Sequence, residues 1–343
     1  MTASLGSPAR RSLASRLLRA FAWSAGGVVV LAAMAIGYAM VAYGHTWDVP
    51  LPKTRAVSDP EVIARGRYIV FGPGRCADCH VPDDERPKLL RGEEAPLTGG
   101  TGETTYIGTW SAPNLTPDPA TGIGGVSDGK LARMLRYGVN RDGRIAPPFM
   151  DAYANLAEDD VVAIISFLRS LPPAAGTPPV QRINLLGKIT LAYFLGPYVP
   201  DGTPPGHVEP QVSSRYGDYI ANTLAGCRTC HTARNLRTGT YLSPAFSGGL
   251  PFRSRLHAGQ VYVSPNLTPD AETGRIATWS EEQFVQRFRL GLLIQDSPMP
   301  WGSFMRMSDA DLRALYRYLH RLPPVRRDNG PVLQPQHGLA AGG

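Results

Sequence analysis

No acidic residue precedes Asp48 in this 343-residue chain, and charge is sparse throughout, at 18% of residues. Aromatic residues make up only 8%, but 43% are hydrophobic, which excludes a disordered tail. A second long apolar run is also missing, which excludes a many-pass membrane protein. The formal charge of +7 offers little for nucleic acid. Setting aside Arg10, Arg11, Arg16 and Arg19 leaves 31 basic residues against 28 acidic, a balance of +3 with no basic face for phosphate. Strand-like alternation is nearly absent, whereas 37 Gly and 32 Pro point to short helices joined by long loops. Only four cysteines occur.

The four arginines precede residues 20–44, a stretch of 25 positions without charge. As a helix this stretch is long enough to cross about 30 Å of hydrocarbon. Phe21 and Trp23 at one end, with Tyr38, Tyr43 and Trp47 at the other, suit an interfacial aromatic belt. The basic residues predict a cytoplasmic segment 1–19, a single-pass anchor 20–44 in the inner membrane, and a periplasmic remainder. The alternative is a cleaved signal peptide with Ala33-Met-Ala35 as its cleavage site, which also exports the rest.

The exported part repeats itself. Cys76-Ala-Asp-Cys79-His80 returns as Cys227-Arg-Thr-Cys230-His231, displaced by 151 positions. Gly66-Arg-Tyr68 returns as Gly217-Asp-Tyr219, and Pro113-Asn-Leu-Thr-Pro-Asp118 returns as Pro265-Asn-Leu-Thr-Pro-Asp270. Phe167, in a segment ending Leu-Pro-Pro, returns as Tyr318. Two α-helical modules are therefore expected, at 56–173 and 209–326. In each, a helix opens near Ser58-Asp-Pro-Glu61 or its counterpart, a middle helix follows, and a last helix closes the module. Ser280-Glu-Glu-Gln283 is a capping box, and Ser308 caps the closing helix of copy two where copy one has Ala157. Between the modules lies a proline-rich apolar linker, 174–208, read either as packed across them or as a surface for a partner or the membrane. The tail 327–343 is expected to be disordered.

Cys-x-x-Cys-His is the covalent attachment pattern for c-type haem. Two thiols on one helical turn reach two vinyl groups, and the adjacent imidazole becomes an iron ligand. A disulfide framework leaves the histidine after each pair unexplained, a zinc site would need neither histidine, and a thioredoxin-like pair would want a βαβ setting. Cys76, Cys79, Cys227 and Cys230 are thus expected to hold two haem c groups, with His80 and His231 on their irons. A sixth ligand would close each iron to small molecules. Met299, in Ser-Pro-Met-Pro-Trp-Gly, and Met150, in Pro-Pro-Phe-Met, are the candidates, although strict displacement aligns Pro148 with Met299. Met134, Met305 and Met307 read as packing residues. His257 and His320 read as surface or structural, and His45 and His207 lie outside the modules.

These motifs, together with the helix endings FLRSLPP and YLHRLPP, resemble those of membrane-anchored dihaem c-type cytochromes built from two class I cytochrome c domains. Per domain they are similar to the cytochrome c subunits of membrane-bound alcohol and gluconate dehydrogenases, which carry three such modules. The resemblance implies an all-α fold: an N-terminal transmembrane helix followed by two tandem class I domains. It implies that Pro113 and Pro265 present their carbonyls to His80 and His231. It also implies an electron carrier and not an enzyme, tethered to lipid and exchanging electrons with a dehydrogenase or quinol-oxidising complex and with an oxidase or another cytochrome. Four haem propionates would bring the +3 remainder to about −1, so net charge alone predicts no strong steering. The rival reading is a peroxidase-like dihaem enzyme whose first haem lacks a methionine ligand.

Overall fold

The computed structural model describes residues 13–100, 104–105, 107–146, 150, 153–178, 180–235 and 239–336. Arg10 and Arg11, Pro148 and the end of the tail fall outside these. Helix α1 (Leu13–Ala42) carries the apolar stretch, and almost all of it stands clear of the rest of the protein.

The first sequence copy forms α2 (Pro60–Phe71), α3 (Cys76–His80), α4 (Arg86–Leu90), α5 (Asp128–Tyr137) and α6 (Glu158–Ser170). After α7 (Leu185–Tyr193), the second copy forms α8 (Ser214–Tyr219), a π-turn at 220–224, α9 (Cys227–Cys230), α10 (Glu281–Arg289), α11 (Trp301–Phe304) and α12 (Asp309–Leu319). Helix α2 starts because Asp59 accepts from the amides of Glu61 and Val62 and Pro60 sits in the first turn. The Ser280–Gln283 capping box opens α10, and Ser308 caps α12. Ala157 cannot cap α6, and the linker supplies the missing acceptors: the amides of Glu158 and Asp159 donate to Pro205 O and Gly206 O.

Opening and closing helices pack in the same way in both copies. A Cβ on Gly66 would collide with Ala163 O, and one on Gly217 with Ala314 O, so only glycine allows α2 to approach α6 and α8 to approach α12 this closely. One buried apolar cluster draws on both copies, from Ile69, Phe71, Leu156 and Ile165 to Tyr216, Ile220, Phe284 and Leu312.

The copies meet through reciprocal hydrogen bonds. Tyr68 Oη donates to Asp311 Oδ2 at 2.7 Å, and Tyr219 Oη donates to Asp160 Oδ2 at 2.6 Å. Each hydroxyl also accepts a backbone N–H, from Ser308 and Ala157 respectively, at 3.0 Å. Every residue in one set is the 151-shifted equivalent of one in the other, as across a two-fold axis. Arg65 and its own equivalent, Tyr216, meet 3.3 Å apart.

Two expectations need correction. The regular structure is mostly helical but not all-α. Two antiparallel three-stranded sheets occur: β1 (Thr104–Thr105), β2 (Gly108–Thr109) and β3 (Arg182–Ile183), then β4 (Pro251–Arg253), β5 (Gln260–Val263) and β6 (Leu333–Pro335). Their strands are too short to show alternation. The expected disordered tail is structured as far as 336, because β6 pairs with β5 and Asn329 donates to Ser247 O at 2.9 Å. Within the linker, α7 packs on α1 and on a small second core of Ile107, Trp110 and Leu191, while Val208 packs on the core shared by the copies.

Candidate functional site

Each Cys-x-x-Cys-His segment is one short turn of helix entered from a left-handed residue: Arg75, with φ 55°, before α3, and its equivalent Gly226, with φ 62°, before α9. Glycine adopts this conformation freely, but at Arg75 it is uncommon. The turn places the first and last cysteines on one face, three residues apart. None of the four cysteines is in a disulfide, and among the described residues no three His, Cys, Asp or Glu side chains gather into a common metal site. Burial pushes the Cys76 and Cys227 thiols up to about 12.

The histidines that follow are oriented alike. His80 Nδ1 lies 2.7 Å from Pro113 O, and His231 Nδ1 lies 3.1 Å from Pro265 O. Burial lowers the pKa of each imidazole, with the proline carbonyl acting in the opposite direction, so the neutral ring is favoured. A neutral imidazole donating from Nδ1 keeps the Nε2 lone pair for a metal.

The proline carbonyls are held by the loops around them. Asn114 Oδ1 accepts from Thr116 N, while its amide donates to Thr121 Oγ1 at 3.0 Å and to Ala174 O at 2.7 Å. Asn266 repeats the set with Thr268 N, Thr273 Oγ1 and Val325 O. Asp118 and Asp270 close the turns by accepting from Thr121 and Thr273, whose N–H and hydroxyl groups hold both carboxyls below their usual range.

Met150 and Met299 are both partly buried against the main core. Met307 is fully buried, and Met305 packs beside Gly92 and Gly291. His320 lies between Tyr316 O and Ile276 O, His207 between Asp159 and Glu209, and His45 against the Trp47 ring. Each is occupied away from the cysteine pairs.

Sequence reasoning missed how close the two motifs are. A Cβ built on Gly226 would lie 3.6 Å from Arg75 Nη2. The segment after Met299 docks on the first motif: Ser303 Oγ donates to Asp78 Oδ1 at 2.9 Å, and Arg306 Nη2 pairs with Glu94 at 2.6 Å. Burial raises the Asp78 carboxyl to about 6, opposed by the Ser303 hydrogen bond. Positions 78 and 303 are 225 apart, and nothing in their local sequence signals the contact.

Two Cys-x-x-Cys pairs, each followed by an imidazole held at Nδ1 by a proline carbonyl, define a c-type cytochrome. No family model matches the chain. It is 30% identical over 303 residues to a dihaem c-type cytochrome of Cereibacter sphaeroides, covering 79% of this chain and 92% of that protein. The chain belongs to this family of dihaem c-type cytochromes. It is also 29% identical over 317 residues to the cytochrome c subunit of a quinone alcohol dehydrogenase from Gluconobacter oxydans, across 85% of this chain and 60% of the subunit. The cytochrome c subunit of gluconate 2-dehydrogenase from Pantoea cypripedii is 29% identical over 284 residues, 76% of this chain and 59% of the subunit. The chain thus spans about six-tenths of the length of these dehydrogenase subunits.

Proposed function

We propose that the protein is a membrane-tethered electron carrier with two haem c groups, one in each of two tandem class I cytochrome c domains at 56–173 and 209–326. Cys76 and Cys79 would hold the first haem and Cys227 and Cys230 the second, with His80 and Met150 as the iron ligands of the first and His231 and Met299 as those of the second. The observation that carries this reading is the paired geometry of His80 on Pro113 O and His231 on Pro265 O, each directly after two cysteines that form no disulfide.

Haem iron would supply a one-electron couple, whose potential a methionine ligand would raise. The chain's residues do the rest. The Asn114 and Asn266 loops aim the proline carbonyls, these hold each imidazole as the Nε2-free tautomer, and the methionines leave no open position for substrate. Contact between the two motifs favours passage of an electron from one site to the other. Residues 20–44 anchor the chain in the inner membrane with the haem domains on the periplasmic side. The donor would be a membrane dehydrogenase or quinol-oxidising complex, consistent with the relatives named above, and the acceptor a terminal oxidase or soluble cytochrome.

The test is the far-red absorption of the oxidised protein, where methionine-ligated ferric haem shows a weak sulfur-to-iron band. Met150→Ala and Met299→Ala should each remove about half of it. A first haem that is high-spin, binds carbon monoxide and ignores Met150→Ala would instead mark an open, peroxidase-like site.

A further inference from the structure

Helix α7 is held by a buried face on the first copy and by side contacts to α1. Gly187 and Leu191, one turn apart, are buried, and a Cβ on Gly187 would collide with Ile107 O. Leu191 enters the small core with Ile107 and Trp110, and the partly buried Tyr43, at the end of α1, packs on that core. The other face is apolar and open: Leu185, Leu186 and Tyr193 are 46–49% exposed, and Phe194, which caps the helix, is 69% exposed.

Helix α7 also lies along the upper part of α1. Tyr193 Oη donates to Ala35 O at 2.8 Å, and the Tyr193 ring packs on Tyr38 with centroids 5.4 Å apart. Lys188 Nζ reaches Met40 Sδ at 3.7 Å and lies 4.7 Å above the Tyr43 ring. Among the described side chains of α1, only Ala39 is buried.

These contacts fix a depth. Residues 20–42 of α1 measure about 34 Å, some 4 Å more than the hydrocarbon core. Ala35 lies about 10 Å along the helix from Ala42, so with the excess shared between the two ends the Tyr193 contact falls about 8 Å below the boundary, the depth at which interfacial helices sit. The flanking charges agree. Arg182 and Lys188 are basic, and no acidic residue falls between Asp160 and Asp201. Lys188 has an aliphatic stem able to lie along apolar surface while its ammonium reaches headgroups.

We propose that α7 is a second membrane contact, lying in the interface of the bilayer that α1 crosses, with Leu185, Leu186, Tyr193 and Phe194 among the acyl chains. This rests on the reading of residues 20–44 as an anchor. Its consequence is orientation. A single spanning helix leaves the attached part free to swing, whereas α1 and α7 together fix the first copy against the membrane through Ile107 and Trp110.

The test is made on the full-length, haem-loaded protein in vesicles of phosphatidylcholine and phosphatidylglycerol doped with a phosphatidylcholine that carries a diazirine in its acyl tail. After illumination, adducts are mapped by peptide mass spectrometry. We expect adducts on residues 183–194 at a yield within about threefold of that on 35–42, falling about tenfold in the Leu186→Asp/Phe194→Asp variant while α1 labelling persists, because charge is disfavoured among acyl chains. Both substituted side chains are exposed, and an unchanged haem spectrum verifies the fold of the variant. Labelling of α1 with none on 183–194 overturns the proposal, including the case where that segment cross-links to a second protein chain instead. Absence of labelling from both segments removes the anchor reading, and the proposal with it.

Discussion

The reciprocal tyrosine–aspartate exchange makes a testable statement about what joins the two copies. Tyr68→Phe and Tyr219→Phe each delete one hydroxyl that donates to a buried carboxylate and accepts one backbone N–H. The two aspartates are not equally provided for. Asp160 keeps Arg65, with Nε 2.8 Å from Oδ1 and Nη2 3.2 Å from Oδ2. Among the described residues no arginine or lysine pairs with Asp311, which is 4% exposed. Its carboxylate therefore loses its tyrosine partner with no cation in reserve. A hydrogen bond to a charged group contributes about 1.5–3 kcal/mol, and stranding a buried charge costs more than leaving a backbone N–H unpaired. We expect a loss of about 3 kcal/mol for Tyr68→Phe and about 2 kcal/mol for Tyr219→Phe. Guanidinium unfolding of the haem-loaded protein, followed by far-ultraviolet circular dichroism and haem absorbance, measures both. Losses below about 0.5 kcal/mol, or Tyr219→Phe clearly the costlier, would refute the reasoning.

Gly66→Ala and Gly217→Ala should each cost at least about 3 kcal/mol, because the new methyl meets backbone oxygen and not a movable side chain; accumulation of the holoprotein at wild-type levels would contradict this. His207, whose pKa is raised by Glu209 and Asp159, ties the linker to α6. A raised pKa contributes stability below the ordinary histidine value, and that contribution is lost as pH rises through the folded one. Proteolytic nicking of 201–210 should therefore be faster at about pH 8.5 than at about pH 6, and His207→Gln should remove the difference.

What the sequence displayed were the features that repeat at displacements of 151 or 152. The cysteine pairs with their histidines, the two Pro-Asn-Leu-Thr-Pro-Asp loops and the close-approach glycines all carry local signatures, and the helices they mark are present. The sheets were hidden because strands of two to four residues cannot display a period of two, and β3 and β6 pair with partners more than 70 positions away. The tail read as disordered from its terminal position, yet backbone pairing to β5 needs no particular side chains. The exchange between copies joins positions 59 and 243 apart, and the Ser303–Asp78 contact joins positions 225 apart. Such pairs depend on how the copies face each other, which no window of sequence contains. The linker's apolar run was visible, but its packing on α1 depends on Ile107 and Trp110, whose place beside the anchor only the fold reveals.

The central claim is that two haems are held covalently, one at each cysteine pair. Its most direct test is the haem-to-polypeptide ratio of the purified protein under denaturing conditions, from intact mass and the pyridine haemochrome spectrum. The account predicts two for the wild type, and one each for Cys76→Ala/Cys79→Ala and Cys227→Ala/Cys230→Ala. A wild-type ratio of one or none, or haem that dissociates on denaturation, would contradict it.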